Sequence, residues 1–474
     1  MEDLCYLTIA EAATLIHSRK LSPVALTKAY LDRIARVDPL LHSFITISAD
    51  VAMRQAEEAA QEIARGKIRS LLHGIPVTYK DYIATAGIRT TAASRVYENW
   101  IPDKDANVVA RLRNAGAITL GKVHLSEFGF SGGFTDADFM KPARNPWNTK
   151  FLPGGSSSGS AVSTAAGLAM GSVGGDSGGS IRIPAAYCGV TGIKPTYGLV
   201  GRSGEIPSTY SMSHVGPITR TVEDGAIMLE LLAGYDPEDR ASANAKVPPY
   251  RHLLQRQLRG LRVGISPSYM EAVGNEEDIM SAFEAAVRVF HSFGCTMREV
   301  VIPHLNYSCA AGYNCILRIE MFHAHLERLR DKGALYGRGA FRNIARGGFL
   351  STVDYLRGQQ ARTLISSELA QTFEGIDLLL TPTTPTSPSG GAHRSEGTDP
   401  KVNLQSLPHE AAYTAPFNLT GNPVISVPCG FNSTGLPIGL QVIGRPFEEP
   451  LVLAAAHQYQ LSTDWHRRKP PLPS

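Results

Sequence analysis

The sequence is poor in everything that marks a disulfide, metal or membrane protein. Only six cysteines occur among 474 residues, at Cys5, Cys188, Cys295, Cys309, Cys315 and Cys429. They form no CxxC and no close pairs, so neither a disulfide framework nor a thiolate metal site is expected. The one His-rich spot, His323-x-His325, has i,i+2 spacing that puts the rings on different sides of a helix. No metal and no cofactor is expected. Long hydrophobic runs are also missing: the uncharged stretch at residues 151–175 holds 13 Gly or Ser and cannot span a bilayer. The N-terminus lacks the basic-then-apolar order of a secretory signal, which makes a cytoplasmic location the simplest expectation. Charge of one sign is lacking too, with 46 Lys+Arg against 43 Asp+Glu and a net charge of +3. Without blocks of like charge, nucleic acid and membrane are not expected as partners. A small-molecule substrate is expected, with room for a homodimer.

What is present is an ordinary globular composition, 43% hydrophobic, long enough for a large core with a buried site. Thr8 and Ser22-Pro23 are helix caps, and Asp50 opens an Ala-rich amphipathic run. Short apolar stretches at 75–79, 117–120, 261–265, 377–380, 424–427 and 438–443 read as buried strands, alternating with helices near 106–115 and 222–232. The fold class is α/β. Residues 282–371 read as mostly helical and carry several aromatics, as a cap over the sheet would; 381–391 reads as a proline-rich loop.

Chemistry concentrates in two Gly/Ser segments, Gly154-Gly155-Ser156-Ser157-Ser158-Gly159-Ser160 and Gly174-Gly175-Asp176-Ser177-Gly178-Gly179-Ser180-Ile181-Arg182-Ile183-Pro184. Large apolar residues interrupt them, against a flexible linker. A P-loop would need Lys and Ser/Thr where Ser160-Ala161 stand. The pattern Gly155-x-Ser157-x-Gly159 matches a nucleophile elbow, but the proline- and asparagine-rich residues before it are not the strand that an elbow requires. Consecutive glycines at 178 and 179 let the amides of Ser177, Gly178, Gly179 and Ser180 converge as an oxyanion hole beside Ser180. A serine needs a base, and Lys80, ending the apolar stretch 75–79, is the candidate. Burial there would ease loss of its proton, and Asp81 alternates to the opposite face.

Taken together, Gly74-Ile75-Pro76-Val77-x-x-Lys80-Asp81, the two Gly/Ser segments, Cys188-Gly189-Val190-x-Gly192-x-Lys194-Pro195-Thr196, Gly216-Pro217, Thr381-Pro382-Thr383 and Gly435-Leu436-Pro437-x-Gly439-Leu440-Gln441 resemble the amidase signature family. The resemblance implies one large domain over residues 1–474: N-terminal helices at 1–66, a signature core at about 74–220, the helical cap at about 282–371, and C-terminal strands and a helix at about 376–474, around a central mixed β-sheet flanked by helices. It implies a Ser-Ser-Lys triad of Lys80, Ser156 and Ser180, a cis Gly155-Ser156 peptide, and an acyl-enzyme on Ser180. Two positions depart from the family's usual Gly-Thr-Asp-Thr: Gly175 replaces the first Thr and Ser177 the second. Ile183 stands where the glutaminase subunit of the tRNA-dependent amidotransferase is expected to have Gln, which points to a stand-alone hydrolase, with that glutaminase as the alternative. The aromatic loop with Phe128, Phe130, Gly132, Gly133 and Phe134 is a candidate substrate pocket, suited to aryl or apolar amides, anilides or carbamates.

Overall fold

The computed structural model describes residues 2–130, 139–389 and 409–473. Its strands are β1 (Phe44–Ile47), β2 (Pro76–Lys80), β3 (Ile118–Val123), β4 (Gly171–Asp176), β5 (Thr191–Lys194), β6 (His214–Thr219), β7 (Arg262–Ile265), β8 (Thr296–Glu299), β9 (Leu378–Pro382), β10 (Val424–Phe431) and β11 (Pro437–Ile443). They form one 11-stranded sheet in the order β1-β3-β2-β4-β6-β5-β10-β11-β9-β7-β8. The sheet is mixed: β2 runs parallel to both β3 and β4, whereas β4 pairs antiparallel with β6 and β10 antiparallel with β5 and β11. Helices cover both faces, so β2, β3, β4 and β6 are buried along their whole length.

The N-terminal helices start where their caps predict. Thr8 forms a capping box with Glu11 ahead of Ile9–His17, and Ser22 Oγ accepts from Val24 N ahead of Pro23–Leu41. Several regions differ from expectation: residues 1–66, expected to be helices, contain the edge strand β1, and β5 and β6 are strands that no apolar run announced. The glycine-rich stretch at 171–176, which has no strand-like composition, is the interior strand β4. Its glycines admit close neighbours: a Cβ at Gly174 would lie 3.0 Å from Ser157 Oγ. The stretch expected to be helical from 282 contains the edge strand β8, and the helix Glu277–Ser292 packs on the sheet. The helical layer proper follows, with a π-helical turn at Cys309–Leu317 and helices Arg318–Lys332, Arg338–Ala345 and Thr352–Gly375. Among the described residues, no helix is long and apolar enough to cross a membrane.

Candidate active site

The parallel pairing of β2 with β4 aligns Tyr79 with Val173, so Lys80 at the end of β2 comes beside Gly175 and the loop that leaves β4. Ser156 arrives from the other direction, on the turn before the helix Ser158–Ala165. Lys80 Nζ lies 2.7 Å from Ser156 Oγ and 3.4 Å from Gly175 O. The Gly155-Ser156 peptide is cis. Ser126 N donates to Ser156 O at 3.3 Å, and a Cβ at Gly129 would lie 3.2 Å from Ser156 Oγ. Ser180, Ser177 and Gly175 line one small cavity with Lys80 and Ser156. Burial pushes the Lys80 ammonium down to about 7; the carboxylates of Glu205 and Asp176 oppose this but do not offset it. Asp81 does face away: its Oδ2 accepts from Thr91 N at 2.8 Å and Thr91 Oγ1 at 2.5 Å.

The loop from Asp176 to Arg182 is built around one carboxylate. Asp176 Oδ1 accepts from Gly179 N at 2.6 Å and Oδ2 from Ile181 N at 3.1 Å. Arg182 closes on the same carboxylate with Nε and Nη2, both at 3.0 Å, and Asn418 Nδ2 adds 2.8 Å. Burial alone would raise this carboxyl, but Arg182 and Asn418 outweigh it and hold it well below the usual range. The Gly179 amide, expected among four oxyanion donors, is therefore committed to Asp176. The amides of Ser177, Gly178 and Ser180 have no protein acceptor among the described residues. Gly179 has φ of +130°, and a Cβ there would collide with Thr414 Oγ1, itself bonded to Gly178 O at 2.7 Å.

Ser157, the elbow candidate, is occupied otherwise. Its Oγ donates to Gly175 O at 3.0 Å and accepts from Gly175 N at 3.2 Å, tying the turn to β4. Phe128 and Gly129 line the cavity, and Phe128 packs against His325 and Tyr336 with ring centroids 4.5 and 5.0 Å away. Phe130 pairs instead with Tyr313 at 5.7 Å, and Tyr313 covers the Gly178 backbone. Gly132, Gly133 and Phe134 lie outside the described residues. No cluster of His, Cys, Asp or Glu suited to a metal occurs among the described residues. Sequence reasoning missed Tyr82, Thr414 and Asn418, because none stands in either Gly/Ser segment and only the fold brings them to the loop.

The sequence matches the Amidase family across residues 25–453. This chain belongs to the amidase family. It is 41% identical over 498 residues, covering all of both chains, to a glutamyl-tRNA(Gln) amidotransferase subunit of Roseiflexus sp.. The solved glutamyl-tRNA(Gln) amidotransferase subunit from Thermotoga maritima superimposes with a TM-score of 0.79 at 33% identity, covering 96% of this chain and 94% of that one. A bacterial aryl acylamidase of the amidase signature family superimposes with a TM-score of 0.88 at 26% identity, covering 98% of each chain. The fold and the family expected from the motifs are thus shown, as is an enzyme acting on carbon–nitrogen bonds.

Two expectations are corrected. The stand-alone hydrolase of aryl or apolar amides fits less well than the amidotransferase subunit, given end-to-end likeness to such subunits at 37–41% identity. Ile183 carried too much of that argument. Its side chain packs in a small apolar cluster with Tyr187, Cys309, Ala411 and Ala415, and its Cδ1 lies against Gly179. The exclusion of nucleic acid, leaving only a small-molecule substrate, also conflicts with relatives whose name includes a tRNA. A net charge of +3 averages over the chain; residues 318–362 alone hold nine Lys or Arg against four Asp or Glu.

Proposed function

We propose that this chain is the amide-hydrolysing subunit of a tRNA-dependent amidotransferase, releasing ammonia from the side-chain amide of glutamine and working in the cytoplasm with partner subunits and charged tRNA. The observation that carries this reading is the end-to-end 41% identity to a glutamyl-tRNA(Gln) amidotransferase subunit. For the chemistry, Ser180 Oγ attacks the amide carbonyl while its proton passes through Ser156 to Lys80, which the 2.7 Å contact and its lowered proton affinity suit to the task. The free amides of Ser177, Gly178 and Ser180 stabilise the oxyanion. Lys80 returns the proton to the leaving amine, the C–N bond breaks, and water then cleaves the acyl ester on Ser180.

The test is ammonia release from glutamine by the purified chain, alone and reconstituted with partner subunits and glutamyl-tRNA. Slow hydrolysis that accelerates on assembly is expected. Rapid turnover of neutral or aryl amides by the chain alone, with none of glutamine in either state, would overturn the reading.

A further inference from the structure

Gly175 has no side chain, and the structure shows what fills the space beside it. A Cβ on Gly175 would fall on the hydroxyl oxygen of Tyr82 and 2.9 Å from its Cζ. The phenol therefore rests on the bare Gly175 backbone, the same residue whose carbonyl lies 3.4 Å from Lys80 Nζ and accepts from Ser157 Oγ. From there the Tyr82 ring lies beneath Lys80, with Nζ 4.9 Å from the ring centroid. Tyr82 is 7% exposed and lines the same cavity as Ser156 and Ser180. Its hydroxyl meets the side chain of Glu205, whose Oε1 is buried without a partner and which is held by the backbone bridge to Ile83.

The geometry points to Tyr82 as a positioning residue that acts through the base: its ring excludes water from one side of Lys80, and Gly175 is the gap that makes room for it. This inference rests on the reading of Lys80 as the proton acceptor for Ser156 and Ser180. Two effects of the ring compete. Its negative face attracts an ammonium weakly, whereas exclusion of water disfavours the charged form more strongly. Burial as a whole pushes Lys80 downward, and the ring, 4.9 Å from Nζ, forms one wall of that burial; on this inference the second effect is the larger. The titratable and charged groups facing Lys80 are Glu205, Asp176 and the Tyr82 phenol. Those facing Glu205 are Arg202, Lys80, Tyr82 and Asp239, and burial pushes its carboxyl up to about 8.

The experiment is the pH profile of kcat/KM on a p-nitrophenyl ester, whose leaving group needs no proton. Four variants are compared with the wild type: Lys80→Ala, Tyr82→Ala, Gly175→Thr and the double variant Tyr82→Ala/Gly175→Thr. Tyr82→Ala is expected to move the acidic limb upward by about one pH unit, costing roughly fivefold at pH 7 while the alkaline plateau stays within a few-fold of wild type. Gly175→Thr is expected to abolish activity or soluble expression while Tyr82 is present, and the double variant to recover much of either loss. An acidic limb unmoved in Tyr82→Ala, with activity lower by one factor at every pH, would overturn the inference, as would a tolerated Gly175→Thr in the Tyr82 background. A limb that persists in Lys80→Ala would show instead that Lys80 is not the base, which is failure of the proposed chemistry. A limb lost there but unmoved in Tyr82→Ala is failure of this inference alone.

Discussion

At the scale of single residues, the three side chains of the proposed triad differ in what surrounds them, and the difference sets what each substitution should do. Ser180 Oγ faces the cavity and Ser156 Oγ is bonded to Lys80, whereas Ser157 Oγ is saturated by the two polar groups of Gly175. Ser180→Ala should lower kcat on the order of 10⁴ to 10⁶-fold, with Ser156→Ala and Lys80→Ala close behind, as for residues that act as a unit. Ser157→Ala should keep measurable turnover and lose about 1–3 kcal/mol of stability by leaving Gly175 unpaired. Steady-state kinetics beside denaturant melts separates the two kinds of loss; a dead Ser157→Ala with an active Ser180→Ala would revive the elbow. The pH dependence follows from Lys80. Its proton affinity is pushed down to about 7, so the base is charged and idle below that pH and neutral above it. The rate should therefore rise with pH through about 7, and Lys80→Ala should remove that limb. The buried histidine nearest the loop, His214, is held well below 6.5 mainly by burial, and its Nδ1 faces backbone carbonyls of Met212 and Asp176, so it does not supply this limb.

At the scale of elements, the loop after β4 is held by the pair of Asp176 and Arg182, both fully buried. Arg182 also reaches Gln441 Oε1 at 2.9 Å on β11 and Asn418 Oδ1 at 2.6 Å. Arg182→Met should strand a buried carboxylate and cost about 3–5 kcal/mol in urea unfolding, with loss of turnover through the displaced amides. A cost below about 1 kcal/mol would show that the loop is held by something else. The same region shows what was legible in the sequence. β2 was legible because its residues are apolar and end at Lys80, and the caps at Thr8 and Ser22 were legible because capping is local. β4 was not: Gly171, Ser172, Gly174 and Gly175 lack strand propensity, and it is a strand because helix and strand neighbours approach the bare backbone closely. β8, Thr-Met-Arg-Glu at the sheet edge, has no apolar signature for the same reason that it has little burial. Within the site, the triad positions could be named from spaced motifs. The diversion of the Gly179 amide to Asp176, and the approach of Tyr82 to Gly175, depend on distances that only the assembled sheet fixes.

At the scale of the whole molecule, the floor of the site and its roof come from segments about two hundred residues apart, and a carboxylate is among the groups that join them. Glu127, just before Phe128 and Gly129, accepts from Ser94 Oγ at 2.6 Å and from Gly337 N at 3.1 and 3.2 Å. Phe128, which has φ of +52°, is in turn wedged against His325 and Tyr336 from the same helical layer. Through Phe128 the helical layer thus abuts Gly129, which in turn lies against Ser156. Glu127→Ala should release the connection while leaving the sheet and the base untouched. The Gly337 amide should then exchange with solvent faster, and kcat should fall about tenfold as Ser156 is less well positioned. The acidic limb should stay near pH 7, because nothing around Lys80 has changed. Hydrogen exchange and a pH–rate profile on the same variant check both halves. Unchanged exchange at Gly337, or a limb displaced as far as in a Lys80-environment variant, would show that roof and floor are coupled by another route.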